Sequence, residues 1–384
     1  MSPKKSLNCL KNHYDRGHPK STEEQVDSKP TAKQINEMVQ IVTAAEALQN
    51  LVRNQMNAVD VRSEGEFSQG HVPGFLNFPI LRDSERHEVG LSYKHEGQEA
   101  AIELGHRLVQ ETRQERVDAW ARQFEKNGVG ILTCWRGGMR SELAAQWLQE
   151  TGLDVLRVQG GYQAMRGELL KTFVSFPDFW VLAGPTGSGK TKLIESLTVP
   201  KINLEAHAVH RGSAFGGFAH LNQPHQATFE NTLALELLKN KSHRLLLEDE
   251  SYFVGQVHLP EALRDRISLS PVIKIKVDME TRLDSIYTEY VKEPGSLQLM
   301  KQYTGALLKI KKKLGGLLTE SVGQEIKRAF ESGDPKLHRV WIQSLLVHYY
   351  DKMYEFSFQK HKERETIFEG DWQQCKTWIQ NQFA

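Results

Sequence analysis

The segment Gly184-Pro185-Thr186-Gly187-Ser188-Gly189-Lys190-Thr191 constrains this chain more than any other feature. It satisfies G-x-x-x-x-G-K-[ST] in full, follows the apolar run Phe179-Trp180-Val181-Leu182-Ala183, and precedes a helical pattern opening near Lys192. Strand, glycine-rich turn and helix in that order form a phosphate-binding loop, whose backbone N–H groups wrap a diphosphate. Gly184, Gly187, Ser188 and Gly189 form the cradle, and Lys190 reaches the terminal oxygens. Downstream, Leu245-Leu246-Leu247 runs into Glu248-Asp249-Glu250, the form of a strand whose terminal acids support such a loop. Glu248 and Asp249 are the expected supporting acids, and Thr191 with Asp249 would ligate Mg2+ if the ion is used. Which acid acts is not readable, and three consecutive acids also fit a solvated strand end.

With 384 residues the chain has room for two or three domains. Residues 1–35 are polar, contain Pro3, Pro19 and Pro30, show no periodicity, and are expected to be a disordered extension. Residues 36–174 alternate strand and helix patterns. Ala58-Val59-Asp60-Val61 reads as a buried strand, as do the runs from Gly128 to Thr133 and from Asp154 to Val158, with a helix from Ser141 to Glu150 between the last two. A domain boundary is expected within 171–177. Residues 175–384 then form a second α/β domain around the phosphate loop, helical from about Thr281 onward.

Cys134 ends the second of those strands and opens Cys134-Trp135-Arg136-Gly137-Gly138-Met139-Arg140-Ser141. A thiol at a helix N-terminus feels positive partial charge, and Arg136 and Arg140 add whole charges, all of which favour the thiolate. The two glycines let the loop fold into a nest for an anion above the sulfur. A buried structural cysteine is the bland alternative, but it needs neither arginines nor paired glycines.

This loop resembles the active-site loop of rhodanese domains, in which a cysteine carries sulfur or selenium. Asp60-Val61-Arg62-Ser63 with Glu66-Phe67, Gly70-His71-Val72-Pro73-Gly74, and Gly160-Gly161-Tyr162 agree with it as scaffold, with Asp60 and Arg62 as structural ion partners and His71 as a loop-stabilising group. Adding the phosphate loop, Leu204-Glu205 with His210-Arg211-Gly212-Ser213-Ala214-Phe215-Gly216, Glu248-Asp249-Glu250-Ser251, Lys311-Lys312-Lys313-Leu314-Gly315-Gly316 and Tyr349-Tyr350-Asp351-Lys352-Met353-Tyr354, the chain resembles the tRNA 2-selenouridine synthase family from about Val39 to its C-terminal region. Glu85-Arg86, Val89-Gly90 and Tyr93-Lys94 look like the insert this family carries in its rhodanese domain, and Ala206-His207-Ala208-Val209 is the looser match.

The resemblance implies a rhodanese-like α/β domain followed by a P-loop NTPase-like α/β domain with a helical C-terminal region. It implies a transferase that converts wobble 2-thiouridine of tRNA to 2-selenouridine, by S-geranylation with geranyl diphosphate and then selenium transfer from selenophosphate. Cys134, Arg136 and Arg140 take the catalytic part in that expectation, and His210, Arg211, Ser213, Lys311 and Lys312 are the expected tRNA or substrate contacts. No tightly bound cofactor is expected. For the lysine run a solvated helix face, and for the tyrosines simple packing, are the plainer readings.

Forty-nine basic against 48 acidic residues leave a net charge of +1, so any RNA surface has to be local, and no DNA partner is expected. Cys9, Cys134 and Cys375 show neither disulfide nor zinc spacing. No segment has the length and apolarity of a membrane span, and the N-terminus carries charges where an export signal would be apolar, so a cytoplasmic location without membrane partner is expected. A sulfurtransferase fused to an unrelated kinase or NTPase is the alternative, and a binding module with vestigial loops is a third.

Overall fold

The computed structural model describes residues 39–124, 129–176, 178–218, 221–292, 297–361 and 363–383. The 1–35 extension lies outside them. Residues from Val39 onward form one compact unit.

Its first half is a parallel sheet of β1 (Gln40–Val42), β2 (Ala58–Asp60), β3 (Phe75–Asn77), β4 (Gly130–Thr133) and β5 (Val155–Val158), in the order β1-β5-β4-β2-β3. Helices cover both faces, so β2 and β4 are buried along their whole length and read as continuous apolar runs. Three helices, Asp83–Glu96, Gln98–Gln110 and Arg113–Phe124, fill the insert between β3 and β4. The helix Gly161–Ser175 follows β5 and takes in residues 171–175, so that stretch is its final turn and not a linker.

The second half is built on β6 (Asp178–Ala183), β7 (Lys201–Ile202) and β8 (Arg244–Glu248), then a small hairpin of β9 (Phe253–Val254) and β10 (Val257–His258), then β11 (Val272–Ile275) and β12 (Thr366–Gly370). All but the hairpin form a parallel sheet in the order β12-β11-β6-β8-β7. The described residues between Met279 and Lys360 are mostly helical and have their own core around Tyr303, Leu307, Ile326 and Trp341. Beyond it the chain returns to the sheet as β12 and closes with the helix Trp372–Phe383, a return that helical patterning to the C-terminus does not anticipate.

One core runs through both halves. Leu48, Met165, Leu169 and Phe173 pack in the same buried cluster as Phe179, Phe229, Leu233 and Leu245. The helix Gln226–Lys239 makes the polar part of the junction. Asn231 donates to the His71 carbonyl at 2.8 Å, Arg166 pairs with Glu230, and Gly70 is so close that an added Cβ would stand 2.6 Å from that of Ala227. Ahead of these contacts in the same helix, Gln226 accepts from the His258 N–H and donates to its carbonyl in β10. This helix thereby ties the cysteine-loop half, through His71 and Tyr162, to the β9–β10 hairpin of the phosphate-loop half.

Candidate active site

Cys134 directly follows β4, and its side chain is buried at 3% exposure. Its Sγ lies 3.2 Å from Ser141 Oγ, which donates to the Gly138 carbonyl at 3.0 Å. The turn is held shut from the side by β5 and the helix after it. Tyr162 N–H donates to the Cys134 carbonyl at 2.8 Å and Gln163 N–H to that of Trp135 at 3.1 Å. Gly161 has φ +60°, and a Cβ there would stand 2.3 Å from the Cys134 oxygen; at Gly137, φ +64°, one would stand 2.3 Å from the Val158 oxygen. Two glycine turns pressed backbone to backbone therefore shape the loop.

The two arginines of the loop part company. Arg140 pairs with Glu66, at 2.5 and 3.1 Å, and Arg86 reaches the same carboxylate at 2.9 Å. Burial works to raise the Glu66 carboxyl, but these two guanidinium groups overcome it and hold the group below its usual range. Part of the positive charge expected to act on the thiol is thus spent on Glu66. Arg136 is exposed.

Below the loop Arg62 is wholly buried. It pairs with Asp60 at 2.7 Å, donates to the Gly70 carbonyl at 2.8 Å, and lies 4.0 Å from the centre of the Tyr162 ring. Asp60 and Arg62 are the ion pair the sequence suggests. His71 donates from Nδ1 to the Phe67 carbonyl at 3.2 Å and stacks on Phe67, so it secures its turn.

In the phosphate loop Gly187 and Gly189 have φ +82° and +78°, and Gly184 leaves the space that Ser188 Oγ fills. Lys190 Nζ rests on the Gly184 carbonyl at 3.2 Å. Ser188 Oγ is buried with no hydrogen-bond partner, as suits a hydroxyl facing a phosphate oxygen.

Thr191 Oγ1 donates to Glu205 at 2.8 Å and stands 3.0 Å from a Glu248 oxygen, while Glu205 N–H donates to the other Glu248 oxygen at 3.2 Å. Carboxylate oxygens of Glu205, Glu248 and Glu250 all lie within 4.8 Å of one another. Burial, and then the charge of Glu248, raises Glu205 to about 7; burial also raises Glu248, and Glu250 is pushed well above the ordinary range by burial and by Glu205. Three crowded carboxylates, Glu248 buried and Glu205 and Glu250 half-buried, that repel one another beside a threonine hydroxyl are a hard-oxygen set that fits Mg2+. An added Cβ at Gly212, φ +64°, would stand 2.5 Å from Glu205 Oε1 and 2.6 Å from Glu250 Oε2, so the 210–216 loop covers the cluster with bare backbone.

Asp249 needs correcting as the expected metal-supporting acid. Its N–H bonds the Leu182 carbonyl, continuing the strand, so its side chain leaves the face used by Glu248 and Glu250 and pairs with Arg364 at 3.0 Å. Glu205 takes the place beside Thr191, brought there because β7 pairs with β8 directly before it.

His210 is buried with Nδ1 unpaired, and burial, with Lys309 and Arg211, holds its pKa down. The Arg211 guanidinium packs 4.3 Å from the Phe218 ring and 5.1 Å from that of Tyr290, and Ser213 Oγ is 3.2 Å from the Tyr290 hydroxyl. Lys311 and Lys312 are exposed on the last turn of the helix Leu297–Leu314, whose opposite face packs in the helical core. In that run it is Lys309 whose charge reaches His210. Tyr349 and Tyr350 pack against the same core.

Fold and site together define a protein that joins a thiol-bearing rhodanese-like domain to a P-loop domain. A model of the rhodanese-like domain matches residues 43–168, and one described as the tRNA 2-selenouridine synthase AAA domain matches residues 177–384. Curated relatives called tRNA 2-selenouridine synthase from Cupriavidus necator and Shewanella pealeana are each 40% identical, over 84% of this chain and 93% of the first, and 88% of this chain and 98% of the second. One from Hahella chejuensis is 38% identical over 84% of this chain and 90% of its own. The chain belongs to the tRNA 2-selenouridine synthase family.

Proposed function

We propose that this protein converts 2-thiouridine in tRNA to 2-selenouridine in two steps, S-geranylation with geranyl diphosphate followed by selenium transfer from selenophosphate. The observation that supports the reading is the pairing of a phosphate loop, with Lys190 resting on the Gly184 carbonyl, and a buried thiol loop in one compact unit with a shared core. In the first step the C2 sulfur of the base attacks the allylic carbon of geranyl diphosphate. A C–S bond forms as the C–O bond breaks, pyrophosphate leaves with the electron pair, and the base gives up its N3 proton to solvent. Lys190 and the N–H groups of the 184–189 loop offset the negative charge that grows on it. Thr191, Glu205, Glu248 and Glu250 would hold a Mg2+ ion, which supplies further charge neutralisation when bound.

In the second step the selenium of selenophosphate adds at C2, the C2–S bond breaks as the geranyl group leaves as its thiol with a proton, and water cleaves the P–Se bond to release phosphate. Cys134 serves this step by assisting the departure of the thiol, in a loop that Arg140 braces through Glu66. The relatives' name supports the selenouridine product; the prenyl donor and the selenium donor rest on the resemblance and on the diphosphate cradle.

Mass spectrometry of a stem-loop RNA with 2-thiouridine, incubated with geranyl diphosphate and then selenophosphate, tests the reading. Geranylated and then selenated nucleoside should form in sequence. Lys190→Ala should stop the first product and Cys134→Ala only the second. Unchanged RNA, with ATP hydrolysis and sulfur transfer to cyanide instead, would replace this reading with a fused sulfurtransferase and NTPase.

A further inference from the structure

We infer that the indole of Trp135 is a stacking platform for an unpaired pyrimidine base of RNA, the element that lays the base beside Cys134. This deepens the reading above and rests on it. Trp135 follows the nucleophile directly and is 37% exposed, whereas the groups behind it are buried. Tyr162 supports it with ring centres 5.5 Å apart, and the Arg62 guanidinium lies 5.5 Å from the indole centre. That support is itself fixed. Arg62 is clamped by Asp60 and the Gly70 carbonyl, Asn231 donates to the Tyr162 hydroxyl at 3.2 Å, and the Trp135 carbonyl is held by Gln163.

A large aromatic left in water on a fully braced loop keeps a face for a planar partner at little cost in ordering. Arg136, exposed and next in sequence, adds a cation to the same loop. An aromatic face flanked by a guanidinium is the pairing by which proteins hold single-stranded nucleic acid, stacking the base and meeting the phosphate.

The test compares full-length Trp135→Phe and Trp135→Leu with the wild type. Dissociation constants are measured for a labelled stem-loop RNA carrying 2-thiouridine in its loop, alongside the iodoacetamide alkylation rate of Cys134. Stacking is worth ~1–3 kcal/mol per base, so Trp135→Leu, with bulk but no π face, should weaken binding roughly five- to hundredfold. Trp135→Phe should keep most of the affinity. The alkylation rate of the free proteins should stay within about twofold of wild type, a readout that separates a binding face from a structural prop. Wild-type affinity in Trp135→Leu would overturn the platform alone. Equal losses in Leu and Phe with altered alkylation would also overturn it, by assigning Trp135 a structural part. Absence of RNA binding by the wild type would overturn the functional reading as well.

Discussion

Asn231 stands between the two halves of the molecule, donating from Nδ2 to the Tyr162 hydroxyl at 3.2 Å and to the His71 carbonyl at 2.8 Å. Tyr162 in turn braces the cysteine loop through its backbone N–H. A residue of the phosphate-loop half thus sets the floor of the thiol site. Asn231→Leu leaves the half-buried His71 carbonyl and the buried Tyr162 hydroxyl short of a donor and takes an acceptor from Arg166, at about 1–3 kcal/mol for each unmet group. Thermal unfolding should show the loss, and Cys134 alkylation should change in rate although position 231 is remote in sequence. An unchanged rate in a folded variant would remove Asn231 from the path to the thiol.

Glu205 provides a pH test. Its carboxyl is raised from 4.5 to about 7, chiefly by burial and next by Glu248. A group whose pKa is higher in the folded state stabilises that state below its unfolded value and loses the contribution as pH rises through the folded one. The metal-free protein should therefore lose stability between pH 4.5 and about 7, by roughly 3 kcal/mol from this group. Glu205→Gln should flatten that slope, and a slope equal to wild type would contradict the assignment.

Gly161 allows no side chain. At φ +60° with the Cys134 oxygen 2.3 Å from a would-be Cβ, Gly161→Ala combines backbone strain with a clash on the reactive loop. A cost of at least ~2 kcal/mol is expected in denaturant unfolding, with loss of Cys134 reactivity. Gly167→Ala is the control, since nothing lies within 4 Å of its would-be Cβ.

Adjacent acids should behave in opposite ways. Glu248→Gln relieves repulsion among the crowded carboxylates, so it should leave the melting temperature unchanged or higher while weakening Mg2+-dependent binding of pyrophosphate. Asp249→Asn weakens the partner of the buried Arg364, so it should cost about 1–2 kcal/mol and leave pyrophosphate binding intact. Calorimetric titration of pyrophosphate, with and without Mg2+, separates the two.

What could be read from residue order was what is local. The cysteine loop and the phosphate loop each declare themselves within eight consecutive residues, because backbone turn, glycine and reactive group are neighbours in sequence. Leu204-Glu205 stands out as part of the resemblance, but its place does not: Glu205 reaches Thr191 only because β7 pairs with β8, a non-local event with a weak signal in a strand of two residues. Choosing Glu248 over Asp249 required the pleat at the end of β8, where a shift of one residue exchanges the faces. β12 is separated from its partner β11 by the whole helical region, so its mixed pattern of Thr366-Ile367-Phe368-Glu369-Gly370 had no neighbour to betray it. Arg140 was legible as a charge near sulfur, but its partner Glu66 lies in a distant helix.

The buried cluster that runs from Leu48 through Phe173 to Phe229 and Leu245 also bears on heredity. Each half, were it made alone, would bare to water the apolar face it now hides against the other, and would clump. The two halves are therefore expected to fold as one unit, so a gene cut at the junction would separate surfaces that only the joined chain keeps out of water.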